Sequence, residues 1–183
     1  MRYFTESEIK AFEGRYTNPL NESTNRKFRA TKKIFLSHSH KDADLVKSAI
    51  AFFLSQGIEI YVDWLDPDMP TVTSASTASK IKLKIKENHK FVVLLSSNAK
   101  DSKWVPWELG YADGVKAMSD IAIFPILRNS SDTFNGVEYM ALYPKIGLEG
   151  IGYSQRTVIE KDTSISFARS LKDGWINKSN TIF

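Results

Sequence analysis

Four short, solidly apolar runs recur along the chain with helix-patterned segments between them: KKIFLS (Lys32–Ser37), IEIYVD (Ile58–Asp63), FVVLL (Phe91–Leu95) and IAIFPIL (Ile121–Leu127). A strand with one wet face would alternate apolar and polar residues, and the most apolar of these runs do not. Strands buried on both faces and joined through helices require a parallel sheet covered on two sides. DADLVKSAIAFFLSQG (Asp42–Gly57) places Leu45, Ala49, Ile50, Phe53 and Leu54 on one helical face, and Gly57 reads as its C-terminal stop. TASKIKLKIKENH (Thr77–His89) predicts a helix with Ile81 and Ile85 inward, and WELGYADGVKAM (Trp107–Met118) predicts the next.

The ends read differently. Residues 1–30 are expected to form an N-terminal extension, and residues 31–183 the domain itself. Within the extension, FTESEIKAFEGRY predicts a short helix with Thr5 as N-cap and Glu8 as its capping-box partner. TNPLNESTNRK reads as a polar linker. In the last third, VEYMALY (Val137–Tyr143) suggests a short helix, and KIGL and RTVIE suggest short strands. SISFARSLKDGWI (Ser164–Ile176) suggests a closing helix, with Thr163 near its N-cap.

Composition excludes several classes. The chain has no cysteine, so it has no disulfide framework, thiol nucleophile or Cys-based zinc site. The net charge of +4 resides in residues 1–33, which carry eight Lys/Arg against four Glu, and the rest is balanced. No broad basic surface for DNA is therefore expected. IAIFPIL, the longest apolar run, is far too short to span a membrane, and MRYFTESEIK lacks the apolar core of a secretory signal. A cytoplasmic location is expected. There is no Walker or G-x-G-x-x-G loop, which excludes a P-loop enzyme and a Rossmann dehydrogenase.

In open parallel sheets, ligands bind beyond the carboxyl ends of the strands, where the strand order reverses. With order 2-1-3-4-5, that point lies between the strands KKIFLS and FVVLL. The segments SHSHKD (Ser37–Asp42), DWLDPDMP (Asp63–Pro70) and SSNAKDSKW (Ser96–Trp104) would then converge on one rim. Pro106 is comfortable only in a first helical turn, so its helix starts near Lys103 or Trp104. Glu108 lies about one turn in, on the face of Trp104. A helix N-terminus favours the ionised carboxylate, and such a group can stabilise developing positive charge. From spacing alone, a surface charge complementing the helix dipole is the better reading.

KKIFLSHSHKDADLV, GIEIYVDW, KFVVLLSSNAKDSKWVPWEL and IAIFPILR, in this order, resemble the Toll/interleukin-1 receptor (TIR) domain family in its bacterial form. The resemblance covers Lys32 to Arg128, and its most specific part is the segment Ser102–Leu109. It implies a flavodoxin-like α/β fold, with a central parallel sheet of order 2-1-3-4-5 and helices on both faces. It also implies cleavage of NAD+ at the nicotinamide–ribose bond, with Glu108 as the catalytic carboxylate. Products in the family include nicotinamide with ADP-ribose or cyclic ADP-ribose isomers, often in antiphage defence, where the product activates a separate effector protein. NAD+ is then the substrate, and no cofactor or metal is implied. Homo-oligomers through TIR–TIR contacts are a further family property. Two alternatives stand beside this reading: a non-catalytic TIR scaffold that signals by self-association, and a nucleoside deoxyribosyltransferase-like enzyme.

The chemistry suits the residues. Breaking the glycosidic bond builds oxocarbenium character on the ribose. Nicotinamide leaves as a neutral group, so no general acid is needed and one ionised carboxylate suffices. Tyr61, Trp64 or Trp104 would hold a base by stacking, and the acceptor is either water or an atom of the bound nucleotide. Ser37 and Ser39 either contact ribose or phosphate or serve as turn and cap residues. His38 stands where related sequences usually carry an aromatic, and it and His40 lack the third partner of a metal site. Asp42 reads as a helix N-cap. Asp63 reads equally as a loop anchor or a site residue, Ser96 either binds or ends its strand, and Trp107 reads as core.

Overall fold

A computed structural model describes residues 1–13, 33–70, 72–133, 137–149, 156–160 and 169–170. Its strands are β1 (Phe4–Thr5), β2 (Lys33–Ser37), β3 (Glu59–Tyr61), β4 (Lys90–Leu95), β5 (Ile121–Leu127), β6 (Lys145–Glu149), β7 (Arg156–Glu160) and β8 (Arg169–Ser170). The helices are α1 (Glu6–Lys10), α2 (Ala43–Ser55), α3 (Ala75–Glu87), α4 (Ser97–Lys100) and α5 (Trp104–Val115), with short 3-10 turns between. The sheet runs β3-β2-β4-β5-β6-β7-β8, parallel as far as β6 and antiparallel beyond it. Counted from β2, the five parallel strands take the expected order 2-1-3-4-5.

The uniform apolar runs have a simple cause. Ile34, Leu36, Val92 and Leu94 face one core with α1 and α2, whereas Phe35, Phe91, Val93 and Leu95 face another with α3, α4 and α5. Both faces of each strand are dry, so neither parity can be polar. Helix α2 closes with paired bonds from Gly57 N–H to Leu54 O (2.9 Å) and Ile58 N–H to Phe53 O (3.0 Å). The motif needs a left-handed residue, and Gly57 has φ 69°.

The extension contributes structure of its own. Thr5 caps α1, with Glu8 completing the capping box. Phe4 and Thr5 pair in parallel with Ile126 and Leu127 of β5, and Arg2 exchanges both backbone bonds with Leu148 of β6 (3.0 and 2.8 Å). Phe4 packs edge-on against Phe12, Phe52 and Phe124. The expected linker lies outside the described residues. So does most of the expected closing helix at Ser164–Ile176, and the part that is described, Arg169–Ser170, is strand β8 rather than helix. VEYMALY forms a 3-10 helix over Glu138–Leu142.

Candidate active site

Strand register decides which side chains meet. Phe35 pairs with Tyr61 across β2 and β3. Two residues further on each chain come Ser37 and Asp63, at one level and toward the α5 side of the sheet. Helix α5 starts at Trp104, as Pro106 requires, and Ser102 Oγ accepts the Trp104 and Val105 N–H groups (both 3.3 Å). Its buried stripe is Val105, Glu108, Leu109 and Ala112, so the carboxylate occupies a core position of an otherwise apolar face. Glu108 is only 5% exposed. Ser37 Oγ donates to Glu108 Oε2 at 2.5 Å.

This burial corrects the expectation that the helix start keeps Glu108 charged. Desolvation pushes its pKa up to about 8; the Ser37 hydroxyl opposes that shift and the nearby Asp63 adds to it. Near neutral pH the resting carboxyl therefore holds its proton. The helix-terminus effect is small beside complete loss of solvent.

On this side of the sheet opens a cleft of about 440 Å³, whose lining includes His40, Asp63, Trp64, Asp66, Met69 and Trp104; Glu108 is not part of that lining, and Asp63 is the cleft residue whose charge acts on it. Trp64 is 39% exposed. Trp104 is half-buried and meets Trp107 edge-on at 5.2 Å. Tyr61 is half-buried, and its hydroxyl donates to Asp66 at 2.8 Å. Burial and that bond push the phenol far up, so it stays a donor. Lys84 reaches the same carboxylate at 3.9 Å, which ties the loop after β3 to α3.

Other expected site residues play framework parts. Ser39 caps the 3-10 turn His40–Asp42 by accepting the Lys41 N–H at 3.3 Å. Ser96 caps α4 by accepting the Ala99 N–H at 3.0 Å, and its own hydroxyl donates to Asp42. Asp42 occupies the N-cap position of α2 but makes no cap bond there. Its carboxylate also takes the Asn98 amide at 2.7 Å, so it joins the loops after β2 and β4. That corrects its reading as a capping side chain: two strong donors from the neighbouring loop outcompete the helix amides. Trp107 packs against the core on the α3–α5 side but is half-buried rather than enclosed, with Lys82 Nζ 5.5 Å from its ring centroid.

His38 is buried, its Nδ1 lies 3.0 Å from Leu36 O, and its Nε2 lies 3.8 Å from Asp63 Oδ1. Asp63 Oδ1 also accepts the Trp64 N–H at 2.9 Å. Asp63, which the sequence reads equally as a loop anchor or a site residue, follows Tyr61 as Ser37 follows Phe35, and the pairing of β2 with β3 sets the two at one level. Among the described residues no cluster of His, Asp and Glu suits a metal ion.

Fold and site together define a doubly covered parallel α/β domain with a buried carboxyl and an indole-lined cleft at the carboxyl edge of its sheet. The TIR domain family model matches residues 34–150, and the chain belongs to that family. A protein of Bacillus cereus (strain MSX-D12) named "Probable 3' cyclic ADP-D-ribose synthase ThsB'" is 36% identical over 116 residues, 62% of this chain and 59% of that protein. A protein of Cytobacillus dafuensis named "Putative cyclic ADP-D-ribose synthase TIR2" is 34% identical over 94 residues, 50% of this chain and 25% of that protein. The chain thus spans less than two thirds of the length of either relative.

Proposed function

We propose that this protein cleaves the nicotinamide–ribose bond of NAD+ and passes the ADP-ribosyl group to an internal acceptor or to water. The product is a cyclic ADP-ribose or ADP-ribose, used as a signal in bacterial antiphage immunity. Glu108 is the essential carboxylate. The observation that carries this reading is a single buried glutamate, hydrogen-bonded by Ser37, whose charged neighbour Asp63 lines a cleft walled by Trp64 and Trp104. A cationic pyridinium entering the cleft favours ionised Glu108, which then faces the positive charge growing on the ribose. Trp64 and Trp104 supply flat faces for the ring. Ser37 orients the carboxylate, and Tyr61 holds the loop that carries Asp63 and Trp64. Ser39 and Ser96 shape the loops around the substrate. NAD+ is the substrate and no other cofactor takes part. A cytoplasmic homo-oligomer and a separate effector that binds the product complete the proposal. Two relatives named as cyclic ADP-D-ribose synthases support it.

The test incubates concentrated protein with NAD+ and follows nicotinamide release by chromatography and mass spectrometry, with Glu108→Gln beside it. The variant is expected to lose at least about a hundredfold in rate. A variant as fast as the wild type would remove Glu108 from the chemistry.

A further inference from the structure

Among the described residues, two buried side-chain atoms lack a hydrogen-bond partner: Asn88 Oδ1 and His38 Nε2. Asn88 precedes β4, at the amino end of the strands and away from the cleft. His38 follows β2, at the reacting edge. A carbonyl can only accept, so the 3.0 Å contact with Leu36 O puts the ring proton on Nδ1. Nε2 is then a bare lone pair. It faces Asp63 Oδ1 across 3.8 Å, and Asp63 lines the cleft. Two acceptors opposed at that distance do not bond to each other, and what the gap lacks is a donor.

The surroundings keep this lone pair free. Burial holds the imidazole pKa below its usual value, and His40 works in the same direction; Asp63, the Leu36 carbonyl and Asp42 oppose them. The neutral ring is the resting form.

An oxygen acceptor in the reaction read above needs a base to take its proton. When the C–N bond breaks, its electron pair leaves with nicotinamide. An oxygen of water or of a nucleotide hydroxyl then bonds to the ribose carbon and must give up its proton. Glu108, which takes the Ser37 hydroxyl on Oε2, is assigned to face the positive charge on the ribose. We propose that His38 is the general base for this acceptor hydroxyl, with Asp63 balancing the imidazolium that forms. The proton passes from the hydroxyl to Nε2 as the C–O bond forms, and it returns to solvent when product leaves. Nε2 is closed to solvent here and His38 does not line the cleft, so the acceptor hydroxyl reaches it only when bound substrate parts the ring from Asp63, which does line the cleft. This inference rests on the NAD+-cleaving reading of the site.

A pyridine base separates the two half-reactions, because its ring nitrogen attacks the ribose carbon with no proton to lose. Wild type, His38→Phe and Glu108→Gln are assayed with NAD+ alone and with excess 3-acetylpyridine. His38→Phe is expected to lose about 10²-fold or more in ADP-ribose or cyclic product while keeping base exchange. Glu108→Gln is expected to lose both. Equal loss of exchange and product in His38→Phe, or no loss in either, overturns the base. A second arm needs no variant: nitrogen NMR of the wild-type histidines at neutral pH is expected to find His38 protonated on Nδ1 only. A proton on Nε2 sinks this inference and leaves the NAD+ reading standing. Absence of NAD+ turnover in the wild type sinks both.

Discussion

Glu108 shows how one side chain answers to two opposed demands. Its place near a helix start favours charge, and its place on the stripe of Val105, Leu109 and Ala112 opposes it. Burial wins, with the carboxyl pushed up to about 8. The folded value lies above the unfolded one, near 4.5, so folding binds a proton between them. The stability tied to that proton is fully present below about pH 4.5 and is lost as pH rises through about 8. Wild-type unfolding free energy is expected to fall by roughly 5 kcal/mol across that window, read by urea titration at several pH values. Glu108→Gln keeps the shape without the charge, so its curve should be flatter and it should be more stable than wild type above pH 8. A parallel decline in the two proteins would mean that another group carries the loss. If Glu108 acts in NAD+ cleavage as proposed, the same proton is expected to give kcat/KM an acid limb near pH 8, read from initial rates of nicotinamide release against pH.

At the scale of elements, what the sequence made legible follows from periodicity. Strands β2 to β5 and helices α2 and α3 show as apolar runs and stripes, whereas the order of the sheet follows from the family resemblance and not from periodicity. The start of α5 follows from Pro106, and the close of α2 from Gly57. The same logic reaches Glu108, because positions 105, 108, 109 and 112 form one helical stripe and so foretell a buried carboxyl. The link made by Asp42 was not legible, since its donors Ser96 and Asn98 lie more than fifty positions away and only the fold brings them close. A local rule, the N-cap preference, gave a plausible but different answer. Asp42→Ala is therefore expected to cost about 2–3 kcal/mol, more than a lost cap, because it strands two donors of the neighbouring loop. Urea unfolding measures this, and a cost under about 0.5 kcal/mol would show the two loops to be held by other means.

Across the whole molecule, the family match begins at residue 34, yet the N-terminal backbone completes the sheet. It lies along β5 and bonds to β6, and Phe4 joins Phe12, Phe52, Phe53 and Phe124 on the α1–α2 side. This docking depends on Gly147 in β6. A Cβ there would stand 2.6 Å from Arg2 O and 2.8 Å from the Met1 side chain. The Met1 side chain can swing aside, but the Arg2 carbonyl is backbone held to Leu148 N–H at 2.8 Å and cannot yield without breaking that bond. Gly147→Ala is expected to push the N-terminal residues off β6 and cost about 1–3 kcal/mol, seen as a lower Tm and faster amide exchange at Leu148. Glu108, His38 and the cleft lie on the carboxyl edge toward α5, with the sheet between them and the phenylalanine cluster. Nicotinamide release by the variant, below its new Tm, should therefore match that of the wild type. A variant that stays folded but loses turnover would show that the N-terminal residues act on the cleft through β5 rather than only sealing the opposite core.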